Sequence, residues 1–171
     1  MTKQQVWEAC QKIAPNYNFD PKLIFAICLQ ESEQKKDGSF SPDVARLEQG
    51  YYRKYVEPLE LATTSEVLLS ASYGITQMMG LSLKEVGYFD WYYRQCTLDM
   101  QKLLGHPLSQ FAIPSAIDAY VVNLDWMINF SCKYLNKKRE LAKGDLWLTL
   151  KYWNGSSNYP DKVLAKMKGL Q

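Results

Sequence analysis

Val6, Ala9, Cys10 and Ile13 recur at steps of three and four, which lays one apolar stripe along a helix, and Pro15 ends it. Asp20-Pro21 reads as the next start: the Asp carboxylate caps free amides, and Pro in the first turn loses no hydrogen bond. The segment it opens, from about Pro21 to Gln34, is apolar on nearly all sides, so a central, buried helix is expected. Its polar C-terminal end must then open either to solvent or into a cleft.

From Lys35 to about Pro58 the pattern turns irregular. "KKDGSFSPD" reads as a turn and "VARLEQGYYRKYV" as extended or weakly helical, a small irregular or hairpin lobe around residues 35–60. Thr63, Thr64 and Ser65 with Glu66 start a helix whose Val67, Leu68 and Leu69 run into "SASYGITQMMG". Asp90 opens another, to about Leu104, which "GHP" at Gly105 to Pro107 breaks. The longest predicted helix starts at Pro114 and Ser115 and reaches about Lys138, with Ile117, Tyr120, Val121, Leu124, Ile128 and Leu135 as its core stripe. Asp145 caps a helix bearing Leu146, Leu148 and Leu150 that stops near "WNGSSN", and a last helix runs from Pro160 to about Lys168. The expected fold class is mainly α, a helical globule with one irregular lobe. At 171 residues, without repeat or low-complexity linker, the chain is expected to form one domain spanning 1–171.

Composition then narrows the function classes. Hydrophobic residues at 47% and charged residues at 22% are ordinary for a globular chain and suggest neither disorder nor a fibrous class. A net charge of +2 from 20 basic and 18 acidic residues provides no concentrated basic face, which argues against nucleic acid as a partner. The one dense basic run, "KKR" at Lys137 to Arg139, reads as a solvated helix end. Cys10, Cys28, Cys96 and Cys132 are scattered with no CxxC spacing, and each reads as a small buried hydrophobe in a reduced chain. A single histidine, His106, and the lack of a Gly-rich phosphate loop leave nothing to hold a metal or an organic cofactor, so neither is expected. No stretch approaches the roughly 20 apolar residues of a membrane span. The N-terminus is amphipathic and polar, without the basic flank and apolar run of a signal peptide. The aromatic share of 13%, with 12 Tyr and 5 Trp, exceeds what such a core requires; surplus rings either line grooves for flat ligands such as sugars or serve as ordinary core and surface aromatics.

The run "LIFAICLQESE", Leu23 to Glu33, carries the chemical question. Glu31 falls on the same helical face as Ile24 and Ile27, where a carboxylate is costly unless paired and has a raised pKa. It is therefore a structural ion pair with a lysine or arginine, or an acid kept protonated for chemistry. Glu33, off that face, reads as a solvated helix-end acid.

Three stretches line up in order: "AICLQESE", "SYGITQMMG" and "LTLKYWNGSSNYPDKVLAKM". In this order they resemble the lysozyme-like superfamily of lytic transglycosylases and phage muramidases. That family joins a helix ending in Glu-Ser, a Ser-x-Gly-(Leu/Ile)-x-Gln-(Ile/Met)-Met stretch, and an Ala-Leu-x-x-Tyr-Asn-Gly stretch leading to a Tyr-x-x-Lys-Val helix. Glu31-Ser32 matches the first, and Ser72, Gly74, Ile75, Gln77 and Met78 match the second. Leu150, Trp153, Asn154 and Gly155 match the third, followed by Tyr159, Lys162 and Val163, with Trp153 in the place of the usual Tyr. "DVARLEQGYYRKYV" is similar to a phage muramidase branch that carries Arg-Phe-Glu there, Leu47 taking the Phe place. The matches span Asp20 to Met167.

The resemblance implies an α+β lysozyme-like fold and cleavage of the β-1,4 bond between N-acetylmuramic acid and N-acetylglucosamine in peptidoglycan glycan strands. Glu31 would be general acid and then base, a role that needs a carboxylic acid still protonated near neutral pH. Ser32 is expected to bond a sugar or hold the acid's orientation, unless it is a plain helix-end serine. Gly74, with Ser70, Ala71 and Ser72, lets backbone approach the cleft or simply packs tightly. Gln77 is expected to point at the acid or at a sugar acetamido group, or else to lie on the surface. Met78 and Met79 are read as core or cleft wall. Tyr152, Trp153 and Asn154 end a helix where side chains can face a groove. The family tyrosine at the Trp153 position hydrogen-bonds near the acid; tryptophan offers only an N–H, so Tyr152 is an alternative for that role. Glu48 is either a second carboxylate, whose separation from Glu31 would set inversion or retention, or the partner of Arg46 or Arg53. With Glu31 alone, the muramic acid 6-hydroxyl can attack to give a 1,6-anhydro product. The missing export signal fits a phage protein that works beside other tail or internal virion proteins, or waits in the host cytoplasm for release to the cell wall. A glycan-binding or structural virion module is the other class, but it would have no physical need for the costly Glu31.

Overall fold

The computed structural model describes residues 1–32, 38–41, 46–59, 63–95 and 112–170. It is mainly helical, with a small three-stranded antiparallel sheet. Helix α1 (Lys3–Ile13) opens on a reciprocal cap: Gln5 N–H donates to the Thr2 hydroxyl and Thr2 N–H to the Gln5 side-chain oxygen. Pro15 does not stop the chain's winding. It sits in the first turn of a 3-10 segment, Ala14–Tyr17, where no donor is required of it, and Asn18 in the left-handed region makes the stop.

Helix α2 (Pro21–Ser32) is buried from Leu23 through Leu29, as its all-round apolarity predicts. The Asp20 carboxylate accepts from Lys22 N–H at 2.8 Å at its start. Cys10, Cys28 and Cys132 are buried next to one another, and burial pushes the Cys28 and Cys132 thiols up, so they stay protonated. Glu33, Cys96 and His106 lie outside the described residues.

The sheet runs β1 (Arg46–Leu47), β2 (Ala71–Tyr73), β3 (Met78–Met79), with Arg46 opposite Ser72 and Ser72 opposite Met79. The hairpin thus lies inside "SASYGITQMMG", and among the described residues the irregular lobe supplies the edge strand β1. Strands of two or three residues are too short for alternation to mark them; pairing in three dimensions creates them. The described remainder of the lobe winds as α3 (Gln49–Tyr51), a π-helical turn Tyr52–Val56 and a 3-10 turn Glu57–Leu59. Fully buried Val56 anchors it, and the Tyr52 hydroxyl donates to Glu66 at 3.2 Å on α4 (Thr63–Ser70).

After α5 (Gly80–Glu85), helix α6 begins earlier than Asp90 and covers 88–95; the rest of the helix predicted to Leu104 lies outside the described residues. The long helix expected from Pro114 to Lys138 is two, α7 (Ala112–Val122) and α8 (Leu124–Leu141). Asn123 divides them, leaving helical backbone at φ −109° and ψ 100° and accepting from Trp126 N–H at 3.0 Å, the work of an N-cap that an interior asparagine cannot do. Asp145 caps α9 (Leu146–Asn154), and α10 (Tyr159–Lys168) follows. The core positions of α9 are Thr149 and Leu150, with Leu146 38% exposed, because residues two apart cannot share one helical face.

The "KKR" run is a docking device more than a solvated end. Arg139 donates to the Tyr17 and Asn18 carbonyls, both at 3.0 Å, and lies over the Phe19 ring, while Lys137 pairs with Glu85 at 2.9 Å. Among the described residues no helix is long and apolar enough to cross a membrane.

Candidate active site

Three parts of the chain meet here, the C-terminal end of α2, the β2–β3 turn and the α9–α10 corner. The first contact is a latch: the Ser32 hydroxyl donates to the Ile75 carbonyl at 2.7 Å and to Cys28 O at 3.3 Å, tying the acid's own helix turn to the β2–β3 turn. That turn, Gly74 to Gln77, closes with Gln77 N–H donating to Gly74 O at 3.1 Å. Gly74 at φ +73° and Gln77 at φ +48° are both left-handed. The third part is the α9–α10 corner, where Gly155 at φ +86° ends α9 immediately after Asn154 and lets the chain return to pack α10 along α2. This brings Trp153 and Tyr159 to Glu31.

Between these parts lies a cavity of about 320 Å³. Glu31 is in its wall with Ser72, Gln77, Met78, Trp153 and Asn154. Arg46, Ser72 and Met79 form one row across the sheet, and directly opposed residues point to the same face, here the cavity. Tyr51, Ser82 and Tyr134 also line it. The Tyr134 and Trp153 rings meet at 5.5 Å, so an aromatic wall runs from the lobe to the acid. Tyr88, Trp91, Tyr120, Trp126 and Phe130 make a separate cluster outside the cavity wall, with Tyr88, Tyr120 and Phe130 buried and Trp91 and Trp126 half-buried.

Burial raises the Glu31 pKa above the usual carboxylate range. A donor contact from Tyr159, the charge of Arg46 and the Trp153 indole N–H act in the opposite sense, in that order, without cancelling it. The Tyr159 contact is loose: the buried hydroxyl has no hydrogen bond of regular geometry among the described residues, and the group it faces is the Glu31 carboxyl. Burial and that carboxyl hold the phenol far above its ordinary value, so it stays a donor. Burial likewise pushes Tyr51 up to about 12. The site therefore biases Glu31 toward its neutral acid form and has donors beside it for the carboxylate it becomes on giving up its proton.

The other expected residues sort by geometry. Gln77 faces the cavity with its amide held locally, its nitrogen donating to Gly74 O at 2.9 Å and its oxygen accepting from the Ser72 hydroxyl at 3.0 Å. Met78, 2% exposed, is core and cavity wall at once, its sulfur accepting from the Ser131 hydroxyl. Glu48 is exposed at the cavity and, among the described residues, pairs with neither Arg46 nor Arg53. Ser32, Gly74 and Tyr152 do not line the cavity. Ser32 is spent on the latch. The close approach Gly74 permits is toward the core, against Met127 and Tyr120. Tyr152, 44% exposed, turns outward, since adjacent helical residues diverge by about 100° and Trp153 takes the inward place.

Sequence reasoning gave no site role to Tyr159, Tyr51, Ser82 or Tyr134, and weighed Arg46 only as a partner for Glu48. Tyr159 had a signal, its place in the third motif; the others come from segments whose meeting is a tertiary fact. Among the described residues no group of three His, Cys, Asp or Glu side chains is placed to hold a metal ion. Comparison of the chain with protein-family models, with curated proteins and with solved structures finds no match.

Proposed function

We propose that the chain is a peptidoglycan-cleaving enzyme of lysozyme-like architecture, acting on the β-1,4 bond between N-acetylmuramic acid and N-acetylglucosamine. The observation that carries the reading is Glu31: a carboxyl whose pKa burial raises, in the wall of a cavity to which all three stretches that resemble the family contribute. In the reaction Glu31 gives its proton to the glycosidic oxygen as the bond to the muramic acid C1 breaks. The resulting carboxylate is stabilised by the donors of Tyr159 and Trp153, then takes the proton of the muramic acid 6-hydroxyl as that oxygen bonds to C1. The product is a 1,6-anhydro sugar, Glu31 is again an acid, and no water is consumed. The Tyr134 and Trp153 rings offer apolar faces for sugar rings.

The second reading is hydrolysis, an N-acetylmuramidase in which Glu48 activates water. What favours it is that Glu48 lies at the same cavity without an ion-pair partner among the described residues. Either enzyme suits a phage protein that reaches the wall from a virion or through a membrane lesion. Mass spectrometry of muropeptides released from purified peptidoglycan by the wild type and by Glu31→Gln tests both. Anhydro ends absent with the variant support transglycosylation, and reducing ends support the muramidase. No release by the wild type leaves a glycan-binding module, and equal release by the variant removes Glu31 as the acid.

A further inference from the structure

Arg46 is the one basic side chain in the cavity wall among the described residues. It is exposed on the edge strand β1, and its register opposite Ser72 turns it inward. Among the described residues it makes no ion pair and no side-chain hydrogen bond, although Glu48 stands two positions along. Its charge is felt at Glu31, so it sits near the reacting end of the cavity. Burial biases Glu31 toward its acid form, which carries no charge to answer it. A guanidinium presents a planar fork of donors that fits a carboxylate, and here the fork is left for whatever enters.

We propose that Arg46 receives a carboxylate carried on the muramic acid side of the glycan strand, so that the site selects acidic strands over neutral ones. This rests on the glycan reading above. A chitin strand, built only of N-acetylglucosamine, has no carboxylate. Muramic acid has one on its lactyl group when peptide-free; when a stem peptide is attached that group is an amide, and the stem's own carboxylates supply the charge. The recognised chemistry is the same in both cases.

The test compares kcat/KM of the full chain on three strands of matched length, chitin, peptide-free glycan and peptide-bearing glycan, for the wild type, Arg46→Gln and Arg46→Lys at one pH. Ratios between strands cancel any effect of Arg46 on Glu31. The wild type should favour an acidic strand over chitin by roughly tenfold, the size of one partly exposed charge-assisted pair. Arg46→Gln should bring that ratio near one, and Arg46→Lys should retain part of it. Preference for the peptide-free strand identifies the lactyl carboxylate, and preference for the peptide-bearing strand the stem. No preference in the wild type, or an equal loss on all three strands in Arg46→Gln, overturns the proposal. Calorimetric binding of the same strands to Glu31→Gln, with and without Arg46→Gln, separates the two failures. Arg46-dependent binding of acidic strands by a protein whose wild type cuts nothing would remove the cleavage reading and leave the carboxylate site standing.

Discussion

Replacing Gly74 with alanine tests the turn that holds the hairpin against the acid's helix. An alanine Cβ would lie 2.7 Å from Met127 Sδ and 3.1 Å from Tyr120 Cε1, and both neighbours are fully buried. The backbone at φ +73° costs an L-residue about 1–2 kcal/mol, and crowding a filled core adds about 1–3 kcal/mol. Alanine also restricts the unfolded chain, which returns about 0.4–1 kcal/mol, so the net loss should be about 1–4.5 kcal/mol. Gly155→Ala is the matched control: its φ is +86°, but nothing lies within 4 Å of the added Cβ, so it carries the backbone strain alone. Its expected loss is about 1 kcal/mol. Urea denaturation of both variants, with unchanged m, gives the difference directly. Equal losses for the two would refute the steric half of the argument and with it the claim that Gly74 is required by Met127 and Tyr120.

Two further expectations concern the acid. Burial makes the folded chain hold the Glu31 proton more tightly than the unfolded chain does, so as pH rises past the ordinary carboxylate value the native state is progressively destabilised; each tenfold gain in proton affinity is worth about 1.4 kcal/mol. Glu31→Gln, which cannot ionise, should therefore match the wild type in Tm near pH 4 and exceed it near pH 8; a variant weaker at pH 8 would mean the carboxylate is held in an ion pair. Tyr159→Phe removes a donor that lowers the Glu31 pKa, so the alkaline limb of kcat/KM, where the acid loses its proton, should move to higher pH. Stability should change by less than about 1 kcal/mol because the lost hydroxyl has no regular hydrogen bond. An unmoved limb would reduce Tyr159 to packing.

How far the site was legible depends on what kind of fact each residue expresses. Glu31 could be found because an acid on the face of an otherwise apolar helix is a local anomaly, visible within four residues. Trp153 was found by motif, and its choice over Tyr152 followed only once α9 had an orientation. Arg46 and Tyr134 are unremarkable in sequence; they matter because β1 pairs with β2 and α8 lies beside α9.

By itself, then, the sequence determined the local elements: where α1 and α2 lie, the caps at Asp20 and Asp145, the burial of Leu23 to Leu29, and an acid at the end of that run. These follow from periodicity and capping, which act over one or two helical turns. Tertiary structure decided the break at Asn123, the hairpin of five strand residues, the Arg46–Ser72–Met79 row and the turning of Ser32 and Gly74 toward the core. Strands that short have no stability apart from their partners. Which side chains face a cavity between segments more than a hundred residues apart is set by how α10 packs on α2 and how Ser32 ties the β2–β3 turn to that helix, and no local pattern encodes it.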